Sequence, residues 1–368
     1  MRILQLISTA GPHPFFKLIG DHTDRGRFDV RLATVGSAGT LQEDAARMGF
    51  PTFALGADRR SGYPQAIPRL ARRLRAEQID LIQTHLLDGC VVGLAAAKLA
   101  RTPGAIFTAH HSHEIPVHNR LRLTAVDRLC AGPLCDAIIA PSVQMRDTLV
   151  RVHRVRPEKV IVAHHGFELD RLDPAKAHGD AVRRELGLDG RTVLTAIGRN
   201  YWIKNQEALV RAFARVAPEA PEATLVLAGP GDNGALRELS RSLGVDDRLH
   251  CLGPRGDVVD LLAATDLFVH PARAESFAMV IVEAMAMACP VVATPVGIAP
   301  EVVIDGRTGI LSESPEPEGL ARALKRALAV RERWGTMGEE ARRSAAHFPA
   351  AAMVRSYEEL YERLLATP

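Results

Sequence analysis

Two carboxylates, Glu275 and Glu283, bracket an otherwise apolar run in the segment His270-Pro-Ala-Arg-Ala-Glu-Ser-Phe-Ala-Met-Val-Ile-Val-Glu283. On one continuous helix, residues eight apart stand roughly 80° out of register, so the two acids do not share a face. The short apolar run Asp266 to His270 before them and the helically spaced run Ala284 to Cys289 after them predict a strand, a loop and a helix start. Glu275 then falls in the loop and Ser276 becomes the N-cap. Glu283 lies about two turns into the helix, on the order of 10 Å along its axis. Unpaired N–H groups at a helix start favour anions, phosphate above all. A ligand that offers hydroxyls, then a diphosphate, then a ribose would meet these three features in order, and a nucleotide sugar is such a ligand. Taken alone, Glu275 serves equally well as a solvated loop residue and Glu283 as an exposed helix position.

A second constellation follows the apolar run Thr192 to Ile197, where Gly198-Arg-Asn-Tyr-Trp-Ile-Lys-Asn205 makes a glycine turn carrying Arg199 and Lys204. A guanidinium and an ammonium at a strand's carboxyl end could clamp a diphosphate and neutralise charge growing on it as a leaving group. The same two residues also fit an exposed basic turn. Thr108-Ala-His-His-Ser-His-Glu114 ends another strand, and its imidazoles could hydrogen-bond a sugar hydroxyl, with Glu114 orienting one of them. His111-x-His113 has metal-ligand spacing, but no further ligands accompany it and the chain holds no Asp-x-Asp, so no metal is expected. His164-His165-Gly166 reads as a turn at a domain edge. Gly11, after the first strand, could bring its amide to a phosphate or sugar, or belong to a plain loop. Leu225-Val-Leu-Ala-Gly-Pro-Gly-Asp232 begins like a phosphate turn but lacks Gly-x-Gly-x-x-Gly spacing, so its glycines are expected to serve close strand-to-helix packing.

Apolar β-rich runs alternate with amphipathic helix-length segments to place these groups. Strands are expected at 3–7, 30–35, 51–55, 81–84, 105–109, 137–140 and 160–163, then at 192–197, 225–228, 249–252, 267–270 and 291–294. Strands without polar alternation, separated by helices, imply parallel sheets covered on both faces: an α/β chain of two Rossmann-like halves with a ligand cleft at the carboxyl ends of the strands. Residues 169–190, rich in charge and turn formers, are the expected linker. Residues 350–365 form a helix with Val354, Tyr357, Leu360, Tyr361 and Leu364 on one stripe.

With 368 residues, 47% apolar and 24% charged, the chain is that of a globular protein of two domains, not a disordered or membrane-embedded one. The N-terminal apolar run is too short for a signal peptide and reads as the first strand. Five scattered cysteines read as reduced core thiols of a cytoplasmic protein. Residues 1–180 carry 24 Lys and Arg against 18 Asp and Glu, the remainder 22 against 25. With arginines at 59, 60, 69, 72, 73 and 75, this suggests an anionic partner or membrane surface for the first half; solvated arginine faces explain it almost as well. Nucleic acid is not expected, because aromatics are only 5% of the chain and do not interleave with the basic residues. Hydrolase elbows, His-Glu-x-x-His and P-loop motifs are absent.

With Gly198-Arg199, Lys204 and Glu275-x7-Glu283 in that order behind a Rossmann-like half, nearly the whole chain resembles the family 4 retaining glycosyltransferases of GT-B fold. Pro141-Ser142, His165-Gly166-Phe-Glu-Leu-Asp170, Pro295-Val-Gly297 through Glu301-Val-Val303 and Asp305-Gly-Arg-Thr-Gly-Ile-Leu311 match further landmarks. The resemblance implies an acceptor-binding domain over 1–168, a linker over 169–190, a donor-binding domain over 191–348, and a helix over 349–368 that crosses back to the first domain. It implies metal-independent, retaining transfer from a UDP- or GDP-sugar, with no cofactor, to a glycan or lipid-linked acceptor of the cell envelope such as lipopolysaccharide, at the inner face of the membrane. Arg199 and Lys204 would bind the diphosphate, Glu275 the sugar hydroxyls and Glu283 the ribose. Gly11, Gly198, Ser276, Phe277, Ala278 and Met279 would line the donor site. His110, or His111 in another alignment, would contact the sugar near the reacting carbon. Ala278 stands where the family often has glycine, Ile298 replaces the second glycine after Pro295, and Pro12 replaces the second glycine of the first loop. Alternatives are a sugar-nucleotide epimerase of similar fold and a donor-binding subunit without catalysis.

Overall fold

The computed structural model describes residues 1–11, 13–110 and 128–366. The chain divides into two compact units, one built from Met1–Phe167 with Phe348–Pro368, the other from Glu168–His347.

The first unit holds a seven-stranded sheet, β1 (Arg2–Ile7), β2 (Asp29–Thr34), β3 (Thr52–Ala54), β4 (Leu81–His85), β5 (Gly104–Thr108), β6 (Ala137–Ala140) and β7 (Val160–Val162), in the order β3-β2-β1-β4-β5-β6-β7. Every pairing is parallel. Alternate residues of β1 feed two cores. Leu4 and Leu6 pack with Leu70, Leu74 and Val92 on one face. Ile3 and Ile7 pack with Phe15, Ile19 and Tyr357 on the other. Both faces are buried, which is why apolar residues occupy both sides of the strand. Gln5, in its middle, is fully buried as well.

The helix Ala350–Ala366 closes that second face. Its expected stripe is buried at Val354, Tyr357, Leu360 and Tyr361, and each aliphatic side chain so buried contributes about 1.5–3 kcal/mol. Gly166 makes this fit close, since a Cβ there would lie 2.5 Å from Ala350 Cα.

The second unit holds a six-stranded parallel sheet, β8 (Thr192–Ile197), β9 (Ala223–Ala228), β10 (Leu249–Gly253), β11 (Leu267–His270), β12 (Val291–Ala293) and β13 (Gly309–Leu311), in the order β10-β9-β8-β11-β12-β13. Strand β13 was not expected, because three residues after a turn leave too short an apolar run to signal it. The stretch expected as a linker, 169–190, carries the helix Gly179–Leu186, whose Val182 joins an apolar cluster of the second unit with Leu261 and Ala264. In both sheets the strand order reverses beside the first strand, between β1 and β4 and between β8 and β11. At such a switch point the loops leaving the two strands diverge to opposite faces and open a crevice. No helix among the described residues is long and apolar enough to cross a membrane.

Candidate functional site

The loops that leave β8 and β11, on either side of the second switch point, carry the expected charged residues. Arg199 and Lys204 follow β8, and Glu275 follows β11. Arg199 is exposed. The Lys204 stem lies over Gly198, whose missing side chain leaves a would-be Cβ 3.5 Å from Lys204 Cδ. Its ammonium forms an ion pair with Glu275 Oε1. His270, buried at the end of β11, places Nε2 3.2 Å from the same oxygen. Burial alone would raise the Glu275 pKa, but His270 and Lys204 outweigh it and hold the carboxyl down at about 2. Glu275 is thus an anion throughout the physiological range.

Buried amides join the two loops into one block. Asn205 Nδ2 donates to Pro271 O at 2.9 Å and Pro315 O at 2.7 Å. Gln206 Nε2 donates to Gly198 O at 2.9 Å, and Arg273 N to Ile203 O at 2.7 Å. The glycines after β9 pack against the neighbouring loop rather than a helix. A Cβ on Gly229 would stand 2.1 Å from Gly198 O, and one on Gly231 2.8 Å from Asn200 Cβ. Below Glu275, Ile298 N donates to Phe277 O at 2.7 Å, and Gly297, at φ +58°, takes a place where a Cβ would be 2.4 Å from that oxygen. Ile298 is fully buried and right-handed helical, so a second glycine is not required there.

Ser276 is not the N-cap. The helix runs Met279–Ala286, and its N-cap is Ala278, held left-handed at φ 73°, ψ 66°. Phe277 and Ala278 are buried and Met279 is exposed. The chain turns through Phe277 and Ala278 because Phe277 O is anchored by Ile298 N, which delays the helix by two residues. Glu283 is accordingly its fifth residue, little more than one turn in. Burial raises the Glu283 pKa, and no hydrogen bond or ion pair reaches its carboxylate among the described residues.

In the first unit, Gly11 is exposed, with open space where a Cβ would be. His110 places Nε2 2.8 Å from Nδ1 of His85, and its ring stacks on His165 at 5.5 Å with an interplanar angle of 3°. His165 is therefore packed into the unit rather than part of an edge turn. Its pKa falls to about 4 through burial, with His13 and His164 adding to the shift. Pro12, His111, His113 and Glu114 lie outside the described residues. Gln5, Gln83 and His85, which support His110, escaped the sequence reading. Their signal was polar residues inside strands otherwise apolar on both faces. Four of the arginines expected to face an anionic partner are bonded within this unit: Arg60 to Asp88, Arg69 to Leu55 O, Arg73 to Glu77 and Arg75 to Leu99 O. Among the described residues no three His, Cys, Asp or Glu side chains converge as a metal site would require.

The description "Glycosyltransferase Family 4" matches residues 18–171, and "Glycosyl transferases group 1" matches residues 191–329. A D-inositol 3-phosphate glycosyltransferase of Corynebacterium kroppenstedtii is 30% identical over 305 residues, 77% of this chain and 67% of that protein. The protein of the same description from Rhodococcus jostii is 36% identical over 226 residues, 58% of this chain; the match spans only 49% of that relative's length. Among solved structures, Anabaena Alr3699/HepE in complex with UDP-glucose superposes with a TM-score of 0.84 at 24% identity, over 99% of this chain and all of that one.

Proposed function

Because the chain belongs to glycosyltransferase family 4, we propose that it moves a sugar from a nucleotide diphosphate sugar to an acceptor hydroxyl with retention of anomeric configuration. The observation that carries this reading is the block of Arg199, Lys204 and Glu275 on the two loops flanking the switch point of the second unit. In this reading, Arg199 and Lys204 take the diphosphate and neutralise the charge it gains as the bond to the sugar breaks, without a metal ion. Glu275, ionised and fixed by His270, accepts hydrogen bonds from sugar hydroxyls. Glu283 accepts the ribose hydroxyls. The leaving diphosphate takes the acceptor proton on the face it departs from, so no carboxylate base is assigned. Gly11, Gly198, Ser276, Phe277, Ala278 and Met279 border the donor, and His110 meets the sugar near the reacting carbon.

The acceptor is assigned as a small anionic polyol. Relatives named for D-inositol 3-phosphate support this choice over a cell-envelope polysaccharide or glycolipid. The basic face that suggested a membrane surface is largely engaged within its own unit, which lowers the case for a lipid-linked acceptor. A cytoplasmic enzyme drawing on the soluble pool of UDP- or GDP-sugars fits this assignment.

The test begins with donor binding, read by intrinsic fluorescence. Of the two tryptophans, Trp202 is 45% exposed two residues before Lys204, whereas Trp334 is buried. Nucleotide sugars should quench Trp202 emission, and Lys204→Ala should weaken that binding tenfold or more. Incubation with donor and inositol phosphate, or with donor and a lipid-linked glycan, then separates the acceptors. Isomerised donor formed without any acceptor would point to an epimerase. Binding without turnover on any acceptor would point to a non-catalytic subunit. Transfer that survived both Lys204→Ala and Glu275→Ala would sink the site.

A further inference from the structure

A chain of buried polar side chains crosses the sheet of the first unit beneath His110. His85 Nδ1 lies 2.8 Å from His110 Nε2, and His85 Nε2 lies 2.7 Å from Gln5 Oε1. Gln5 Nε2 donates to Gln83 Oε1 at 3.2 Å and to the Tyr361 hydroxyl at 3.1 Å. The Tyr361 hydroxyl in turn donates to Gln83 Oε1, and Gln83 Nε2 donates to Thr108 Oγ1 at 2.7 Å. Gln5, Gln83, His85 and Thr108 have no solvent exposure, and Tyr361 belongs to the terminal helix.

The donors and acceptors fix the polarity of this chain. Gln5 spends both amide hydrogens on Gln83 and Tyr361, so the oxygen it turns to His85 can only accept. The hydrogen between them belongs to His85 Nε2. A neutral imidazole then has a lone pair at Nδ1, and the hydrogen between the two histidines belongs to His110 Nε2. Burial, with His13 and His165 nearby, drives the His85 pKa well below its ordinary value, which keeps this ring neutral. Phe15 and Phe16 meet its ring edge-on with centroids 5.3 and 5.1 Å away. The next residue, Leu86, is held at φ 61°, ψ 158°, a conformation that costs a side-chain-bearing residue about 1–3 kcal/mol and persists only where packing over-determines it.

We infer that His85 is the positioning residue for His110: it holds that ring in the Nε2–H form, leaving Nδ1 as its acceptor nitrogen, through an amide chain that ends on Tyr361 of the terminal helix. This rests on the reading above only in that His110 works at the sugar. With Nδ1 as the acceptor, His110 can take a hydrogen bond from a donor-sugar hydroxyl. The chain also gives the terminal helix a part in the site besides covering the sheet, because Tyr361 accepts from Gln5 and donates to Gln83.

The test is long-range proton–nitrogen correlation NMR of the full chain labelled with ¹⁵N-histidine, with His110→Gln used to assign the His110 ring. His110 and His85 should both show a protonated Nε2 and a bare Nδ1. In His85→Phe, His110 should become a mixture of tautomers, and kcat for transfer should fall about tenfold or more with the KM for nucleotide sugar within about twofold. His85→Asn sets an amide oxygen near the place of Nδ1, so it should restore the His110 pattern and most of the lost kcat. A protonated Nδ1 on His110 in the native protein, which reversed amides would produce, overturns the inference, as does an unchanged His110 pattern in His85→Phe. If His85→Phe does not fold, the native spectrum alone decides. The ring nitrogens are read without turnover, so a protein that transfers no sugar still answers this question separately from the proposed activity.

Discussion

Lys204 and Glu275, 71 positions apart in sequence, form an ion pair on adjacent loops of the second unit. The pair sets the protonation of the site and contributes to the fold at once. The Glu275 carboxyl drops from an ordinary 4.5 to about 2, so its contribution to stability is fully present above pH 4.5 and is lost as pH falls from there toward 2. Its side chain is only 14% exposed, and the shift corresponds to at most about 3 kcal/mol. Glu275→Gln should therefore lower unfolding free energy by up to about 3 kcal/mol at pH 7, with the gap narrowing below about pH 4. Urea titrations at both pH values measure it, and a gap that ignores pH would refute the assignment.

Ala278 holds a left-handed conformation that costs a residue with a Cβ about 1–2 kcal/mol. Glycine removes that cost but gains about 0.5–1 kcal/mol of freedom in the unfolded chain. The difference favours Ala278→Gly by about 0.5–1 kcal/mol, a rise in thermal midpoint of a few degrees at most. Ala278→Val should move it the opposite way. Calorimetry on the three proteins checks the order glycine, alanine, valine.

The fold was legible wherever burial is two-sided. Strands such as β6 and β12 are apolar without alternation because they are buried on both sheet faces, and the terminal helix advertised its stripe at 354, 357, 360 and 361. The charged ends of the site were legible because Arg199, Lys204 and Glu275 follow apolar strands. What holds them was not. Asn205 and Thr294 act by bonding to backbone oxygens of other loops, and Thr294 Oγ1 meets Ala272 O at 2.5 Å. Such partners are fixed by tertiary approach and leave no spacing in the sequence. The misplaced helix start has the same origin. Ser276 is a fitting N-cap by type, yet the bond from Ile298 to Phe277 O, between loops, carries the chain two residues further.

Between pH 7.5 and 5, the first unit should lose stability to acid through a buried histidine. The His165 pKa is lowered from 6.5 to about 4 by burial and by His13 and His164, so the folded state keeps this ring neutral while the unfolded chain protonates it. Its contribution is intact above pH 6.5 and disappears as pH falls through about 4, with a loss of about 2 kcal/mol already at pH 5. His85 shifts in the same direction and adds to the loss. Urea midpoints should fall between pH 7.5 and 5, and His165→Gln should flatten that slope. Equal slopes in the two proteins would show that other groups set the acid limb.

Asn205 couples the lysine loop to the glutamate loop, and its two kinds of contribution can be separated by substitution. The residue is left-handed at φ 58°, ψ 32°, and its amide donates to Pro271 O and Pro315 O. Asn205→Gly keeps the backbone conformation and removes both bonds, leaving two carbonyls short of a donor. Asn205→Ala removes the bonds and adds the left-handed penalty. A lost buried hydrogen bond costs about 1–3 kcal/mol in either variant, and the left-handed penalty of about 1–2 kcal/mol less glycine's unfolded-state freedom of about 0.5–1 kcal/mol should leave alanine the more destabilising by about 0.5–1 kcal/mol. Both variants free the segment that ends at Lys204, so both should weaken nucleotide-sugar binding to a similar degree, about tenfold or more. Binding read by Trp202 fluorescence, set beside unfolding free energy, separates the effects. Native affinity in Asn205→Gly would mean that Lys204 is positioned by its own ion pair rather than by the amide between the loops.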